Sequence, residues 1–227
     1  MSMPAQVLPP PLREGDRLSR EEFMRRWDAM PDLKRAELID GIVHMASPVS
    51  VFHGENHSRL DFWLGYYANS TTGCRVGSNS TWLMSGDNAP QPDLALRILP
   101  EYGGQSRCEG QYAVGAAELI VEVSYTTGAK DAGDKLRLYE RMGVREYLIA
   151  QPAKKRVVLR ELADGKFREI PQDADGLLRS RVFPGLWLDP AGLWRDDSSP
   201  LAALQKGIDT EEHRAFAREL AARKRPC

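Results

Sequence analysis

Apolar and polar positions change period several times along the chain, most clearly between Ala116 and Pro152. Leu119-Ile120-Val121 is a continuous apolar run that ends in Glu122, Val123 and Ser124. An unbroken run of this length predicts a strand covered on both faces, here with a carboxylate at its C-terminal end. From Lys130 to Met142 the period lengthens. Leu136, Tyr139 and Met142 form one helical stripe, which Leu138 widens, and Gly143 supplies a C-cap. Tyr147-Leu148-Ile149 is a second short apolar strand. Strand, helix and strand in this order make a βαβ unit, with a parallel strand pair and a right-handed crossover.

The same reading extends outward from this unit. Residues 1–18 are proline-rich and read as a loose arm. Ser19 and Glu22 form a capping box that opens a short helix ended by Pro31. Asp40-Gly41 lies between two apolar runs and predicts a hairpin, as does Asp164-Gly165 between 156–162 and 166–170. A long helix is expected over about His53 to Asn69, with Leu60, Trp63, Leu64 and Tyr67 on one face. Arg75 to Met84 reads as one strand, 85–88 as a turn, Asp93 to Leu99 as a strand, and 101–110 as an irregular loop. Val182 to Leu188, which contains Pro184-Gly185, reads as a bent edge segment. After a polar break at 196–200, a last helix is expected from Thr210, with Phe216 and Leu220 on its apolar side. The organisation is therefore an arm (1–18), a main domain (19–195) and a helical extension (200–227). The extension is expected to lie outside the catalytic core and to dock on a partner subunit.

Composition narrows the function classes. A formal net charge of -1 gives no global basicity to hold nucleic acid or membrane. Cys74, Cys108 and Cys227 are odd in number and widely spaced, which excludes a disulfide framework and points to a reducing, cytoplasmic setting. No apolar run is long enough to cross a bilayer, and the first residues do not read as a secretory signal.

Few residues carry candidate chemistry. Asp93 follows Pro92 at the start of an apolar strand, and Glu122 ends another. Carboxylates at buried strand ends are costly unless paired, exposed or bound to a cation. Two of them with a nearby carbonyl are hard oxygen donors, which suit magnesium or manganese better than zinc. Ordinary strand-end polarity explains them equally well. Asp131, Lys135 and Tyr139 are spaced by four and share a helix face. They read either as a surface pair or as a lysine leaning toward Glu122. Glu37 lies beside the first hairpin, near enough in such a fold to assist a metal or ligand. His53 and His57 are also four apart, but Gly54 follows His53 and Glu55 comes one place late, so the zinc-peptidase motif is absent. Nucleophile-elbow, phosphate-loop and dinucleotide-binding motifs are absent too.

Taken in order, these pieces resemble the Uma-type restriction endonuclease domain family of the PD-(D/E)xK nuclease superfamily. Glu37-Leu38-Ile39-Asp40-Gly41 is similar to its opening motif, and Ser47-Pro48 with His53 to the loop and histidine that open its long helix. Pro92-Asp93, Glu122-Val123-Ser124, Asp131/Lys135/Tyr139, Gly143-Val144 with Glu146-Tyr147, and 180–188 follow in family order. The likeness covers roughly residues 19–193. It implies an α/β, restriction-endonuclease-like core with a mixed central sheet flanked by helices. It implies metal-dependent endonuclease activity, with DNA as partner and Mg2+ or Mn2+ as cofactor. Asp93 and Glu122 would hold the metal, with the Val123 carbonyl. Lys135 would replace the lysine normally found two residues after the glutamate, where this chain has Ser124. Glu37, His53, Asp131 and Tyr139 would be accessory. The chain departs from the family pattern at Glu118, Tyr125 and Gln151. Two other readings remain: a non-catalytic nuclease-fold domain that binds nucleic acid or protein, and a structural homodimer module. Arg137, Arg141 and Arg145 are candidates for a small basic rim.

Overall fold

The structure is a computed structural model that describes residues 8–124, 129–195 and 199–224, without the side chains of 129–132. The side chains of Lys130 and Asp131 thus lie outside the described residues, as does Cys227. In chain order the elements begin with α1 (Arg20–Asp28), β1 (Ala36–Ile39), β2 (Ile42–Met45) and α2 (Val51–Ser70). The middle of the chain forms β3 (Cys74–Ser78), β4 (Trp82–Leu83), β5 (Leu94–Ile98), β6 (Arg107–Glu109), β7 (Tyr112–Val114) and β8 (Leu119–Val123). Then come α3 (Ala129–Met142), β9 (Glu146–Gln151), β10 (Arg156–Ala163), β11 (Lys166–Ile170), β12 (Leu178–Arg179) and β13 (Trp187–Leu188). The described chain ends in α4 (Leu201–Ile208) and α5 (Glu211–Arg223).

Six strands form the central sheet in the order β11-β10-β9-β8-β5-β3. The β8–β9 pair is parallel and the others are antiparallel. It is the mixed sheet expected from the sequence, with β8-α3-β9 as its βαβ unit. Side chains of β8 alternate between two cores. Leu119, Val121 and Val123 join Leu60, Trp63, Leu64 and Tyr67 of α2. Ile120 faces Leu138 and Tyr139 of α3. Burial on both faces is why β8 reads as a continuous apolar run rather than an alternating one.

Local chemistry sets the element ends. The Ser19 hydroxyl accepts the Glu22 N–H at 3.2 Å and starts α1. Ser50 does the same for His53 N–H at 3.2 Å, which starts α2 two residues before the expected position. Asp40 and Gly41 both have positive φ, 50° and 74°, as the tight turn between β1 and β2 requires.

Three expectations are corrected. Residues 75–84 are two strands in two sheets: Asn79, with φ of 50°, breaks the extended backbone, and β4 pairs with β7. The loop expected at 101–110 contains β6, antiparallel to β7. Residues 201–208 form a helix, α4, that the sequence pattern did not announce. The extension is also committed to this chain's own core. Leu204 and Leu220 are fully buried there and Phe216 packs against it, 6.4 Å from the Phe183 ring. The face expected to dock on a partner is therefore already covered. Gly207 of α4 meets the Gly185 turn so closely that a Cβ would clash with the Gly185 carbonyl oxygen.

Candidate active site

Strand register brings the two carboxylates together. Leu94 of β5 pairs with Val121 of β8, so Asp93 and Glu122 stand one step further along the same pair. Asp93 Oδ2 accepts the Val123 N–H at 2.9 Å, which ties the start of β5 to the end of β8. Ala95 and Ile120 both lie in the core under α3. By the two-residue alternation of strands, Asp93 and Glu122 point toward α3 as well.

Helix α3 delivers Lys135 to this point. Its Nζ is 3.0 Å from Glu122 Oε1 and 2.9 Å from Glu37 Oε1. Tyr139, one turn later, donates its hydroxyl to Glu122 Oε1 at 2.9 Å. Glu37 enters from β1, where its Oε1 also accepts the Gln91 N–H at 2.7 Å. On the far side Arg35 Nη2 lies 3.3 Å from Asp93 Oδ1, and His53 Nε2 is 3.7 Å from the same oxygen. His57 stacks beside His53 with ring centroids 6.2 Å apart, and its Nε2 is 3.1 Å from the Asp93 carbonyl oxygen. One cluster therefore holds Glu37, His53, Asp93, Glu122, Lys135 and Tyr139, all singled out in the sequence. The arginines expected to form a rim are engaged elsewhere: Arg137 with Asp134, Arg141 with Asp40 at 2.5 Å, and Arg145 with Gln105 at 3.2 Å.

Sequence reasoning missed Arg35 and Gln91. Arg35 carried one signal: it is a charged residue two positions before Glu37, at the entry to β1. Gln91 acts through its backbone N–H, which its residue type does not reveal.

The electrostatics are those of crowded, poorly hydrated carboxylates. Burial raises the Glu122 carboxyl to about 7, with Lys135 opposing and the Asp93 and Glu37 charges adding to the rise. For Asp93, burial pulls upward but is outweighed by the neighbouring His53 imidazole, the Val123 N–H and the Lys135 charge, so it falls to about 2. Burial would lower the Lys135 ammonium, but Glu122 and Glu37 outweigh it and raise it. Burial and the Glu122 charge hold the Tyr139 phenol well above its usual range. Among the described residues the carboxylates of Glu37, Asp93 and Glu122 meet Arg35 and Lys135 here. Carboxylates are hard oxygen donors of the kind that suit a small divalent cation. Yet among the described residues no group of three or more His, Cys, Asp or Glu side chains is placed to hold a metal ion.

Comparison with known proteins agrees with the fold. A family profile described as "Uma2: Putative restriction endonuclease" matches residues 20–191. No curated protein matches. Among solved structures, the chain is similar to "a putative nuclease belonging to DUF820" from Anabaena variabilis ATCC 29413. The TM-score is 0.58 at 12% identity, over 84% of this chain and 99% of that one. No described helix is long and apolar enough to cross a membrane.

Proposed function

The chain belongs to the Uma2 family and has a nuclease fold of the PD-(D/E)xK superfamily; from this we propose that it is an endonuclease that hydrolyses phosphodiester bonds, in DNA, with magnesium or manganese. The observation that carries the proposal is Lys135 Nζ, 3.0 Å from Glu122, beside an Asp93 that the strand register aligns with it.

Asp93, Glu122 and the Val123 carbonyl would hold the cation. A bound divalent cation supplies Lewis-acid polarisation of a phosphoryl oxygen and a water of lowered pKa. The protein's own groups do the rest. Tyr139 and Lys135 fix the Glu122 carboxylate by hydrogen bonds to one oxygen, Oε1. Once a substrate is present, the Lys135 ammonium orients the attacking water or offsets charge developing on the phosphoryl oxygens. His53 steadies Asp93 from the α2 side.

A second reading is favoured by a specific observation. Lys135 holds two of the three carboxylates, and the described donors do not converge on a metal. A nuclease-fold domain that binds nucleic acid or protein without cleaving it would look like this. Side-chain geometry favours this reading, whereas the family and the hard oxygen donors favour the first.

The deciding experiment is manganese titration by calorimetry with wild type and Asp93→Ala, paired with cleavage of mixed DNA and RNA substrates. Metal binding lost in Asp93→Ala, with cleavage reduced roughly a hundredfold or more in Lys135→Met and retained in Lys130→Met, supports the endonuclease. Measurable metal binding that is equal in wild type and Asp93→Ala refutes the metal assignment. Metal binding without cleavage on any substrate selects the second reading.

A further inference from the structure

Among the described residues, Arg35 is the one charged group in the cluster to which neither the sequence motifs nor the proposed chemistry gives a part. It sits immediately before β1 and reaches across to the start of β5, where Nη2 is 3.3 Å from Asp93 Oδ1. The other Asp93 oxygen already accepts the Val123 N–H. Arg35 therefore faces the Asp93 oxygen that is free of the Val123 N–H, as His53 Nε2 does at 3.7 Å, and a cation arriving there would meet its charge. Its side chain is 30% exposed, whereas that of Asp93 is 6% exposed, so the guanidinium lies at the solvent edge of a buried charge.

We propose that Arg35 holds two positions: counter-ion of Asp93 while the site is metal-free, and donor to a non-bridging phosphoryl oxygen of the substrate once a divalent cation takes Asp93 Oδ1. The inference rests on the metal-dependent reading above. A guanidinium and a divalent cation repel each other and compete for the same oxygen. When the cation binds, Arg35 loses its partner. Its exposed position gives it a path outward, and its planar fork of donors matches a phosphoryl group. Glu37, two residues further on in β1, pairs with Lys135 at 2.9 Å. The β1 segment thus brings a cation to one proposed metal ligand and an anion to the proposed catalytic cation.

A merely structural arginine would orient Asp93, and its loss would weaken everything the site binds. The proposal instead predicts opposite signs. Arg35→Gln should bind manganese about tenfold more tightly than wild type, because a competing positive charge is gone. It should bind a phosphorothioate DNA duplex, which resists hydrolysis, about tenfold more weakly at saturating manganese, because a charge-assisted hydrogen bond is lost. Arg35→Lys keeps the charge and loses the fork. It should bind manganese as wild type does and recover part of the duplex affinity.

The experiment is manganese calorimetry and fluorescence anisotropy on full-length wild type, Arg35→Gln, Arg35→Lys and Asp93→Ala, each checked by circular dichroism. Manganese binding by Arg35→Gln where wild type shows none would also support the competition. Unchanged or weaker manganese binding in Arg35→Gln, with binding abolished in Asp93→Ala, overturns the proposal and leaves the metal site standing. Tighter manganese binding with unchanged duplex affinity overturns the phosphoryl position. If neither wild type nor Arg35→Gln binds manganese, the metal reading fails and this inference fails with it.

Discussion

Replacing Lys135 with methionine should cost stability in a way that depends on pH. In wild type the ammonium lies 2.9 Å from Glu37 and 3.0 Å from Glu122. Methionine fills a similar volume but leaves both carboxylates without their cation. Breaking a buried pair in this way costs about 3–5 kcal/mol when the remaining charge must stay ionised. Glu122 can escape part of that cost by taking a proton, since burial already raises its carboxyl to about 7. Without Lys135, which opposes that rise, Glu122 stays protonated to higher pH, while the unfolded chain is unaffected. Above pH 7 the folded variant then binds up to one more proton than folded wild type. Stability falls with pH wherever the folded state binds more protons than the unfolded one, so the variant falls faster. One proton corresponds to about 1.4 kcal/mol per pH unit. The deficit should therefore grow by up to about 2 kcal/mol between pH 7 and pH 8.5. It should be smallest near pH 5, where Glu122 is protonated in both proteins and its pair with Lys135 is already weakened. Lys135 itself, with its pKa raised, stays charged across this window. Urea unfolding of wild type and Lys135→Met at pH 5, 7 and 8.5 measures the difference, in which all unaffected groups cancel. A deficit that is constant with pH would refute the coupling of Lys135 to Glu122.

Two further outcomes follow from the packing. A chain ending at Pro200 removes Leu204 and Leu220 from the main core and uncovers Phe183. Two lost leucines of this kind cost about 4 kcal/mol or more, so thermal unfolding should show a large fall in Tm or no folded protein; an unchanged Tm would show the extension to be dispensable. Glu146 is fully buried, and accepts the Ser180 hydroxyl at 2.5 Å and the Arg181 N–H at 2.7 Å. Burial outweighs these bonds and raises its carboxyl to about 7, so its ionisation destabilises the fold progressively as pH rises through about 4.5 to 7. Glu146→Gln lacks that ionisation, and its stability relative to wild type should improve between pH 5 and pH 8 in the same urea assay.

The fold was legible where local chemistry decides structure. Leu119-Ile120-Val121 announced a doubly covered strand, and the capping box at Ser19 and the Asp-Gly pairs announced their elements. The site was legible where a charge interrupts an apolar run, as Glu122 does, or where residues repeat at helical spacing, as Lys135 and Tyr139 do. It was not legible where contact is made across the fold. Arg35 meets Asp93 over 58 residues of sequence, and no local pattern encodes that approach. Helix α4 was missed for a related reason: it begins after Pro200 with no side-chain cap, and Leu204 owes its burial to the core beneath it. The strand expected at 75–84 failed because a single residue, Asn79, turns the backbone into the left-handed region.

The position of the lysine follows from the same geometry. A lysine at residue 124 would project from β8 on the side shared by Ile120 and Glu122, because strand side chains alternate. That side is the one α3 covers, through Leu138 and Tyr139 against Ile120. A side chain descending from α3 therefore enters the same space that a residue at 124 would reach from below. Lys135 and Tyr139 are one helical turn apart, and both meet Glu122 Oε1, at 3.0 Å and 2.9 Å. A lysine carried by the helix depends on how α3 is seated, and that is set by packing: Leu138 and Tyr139 are fully buried. Carriage on α3 also makes a second contact possible, with Glu37 at 2.9 Å. The Lys135 ammonium thereby links β1, β8 and α3, which ties the proposed chemistry to the hairpin that also supplies Arg35.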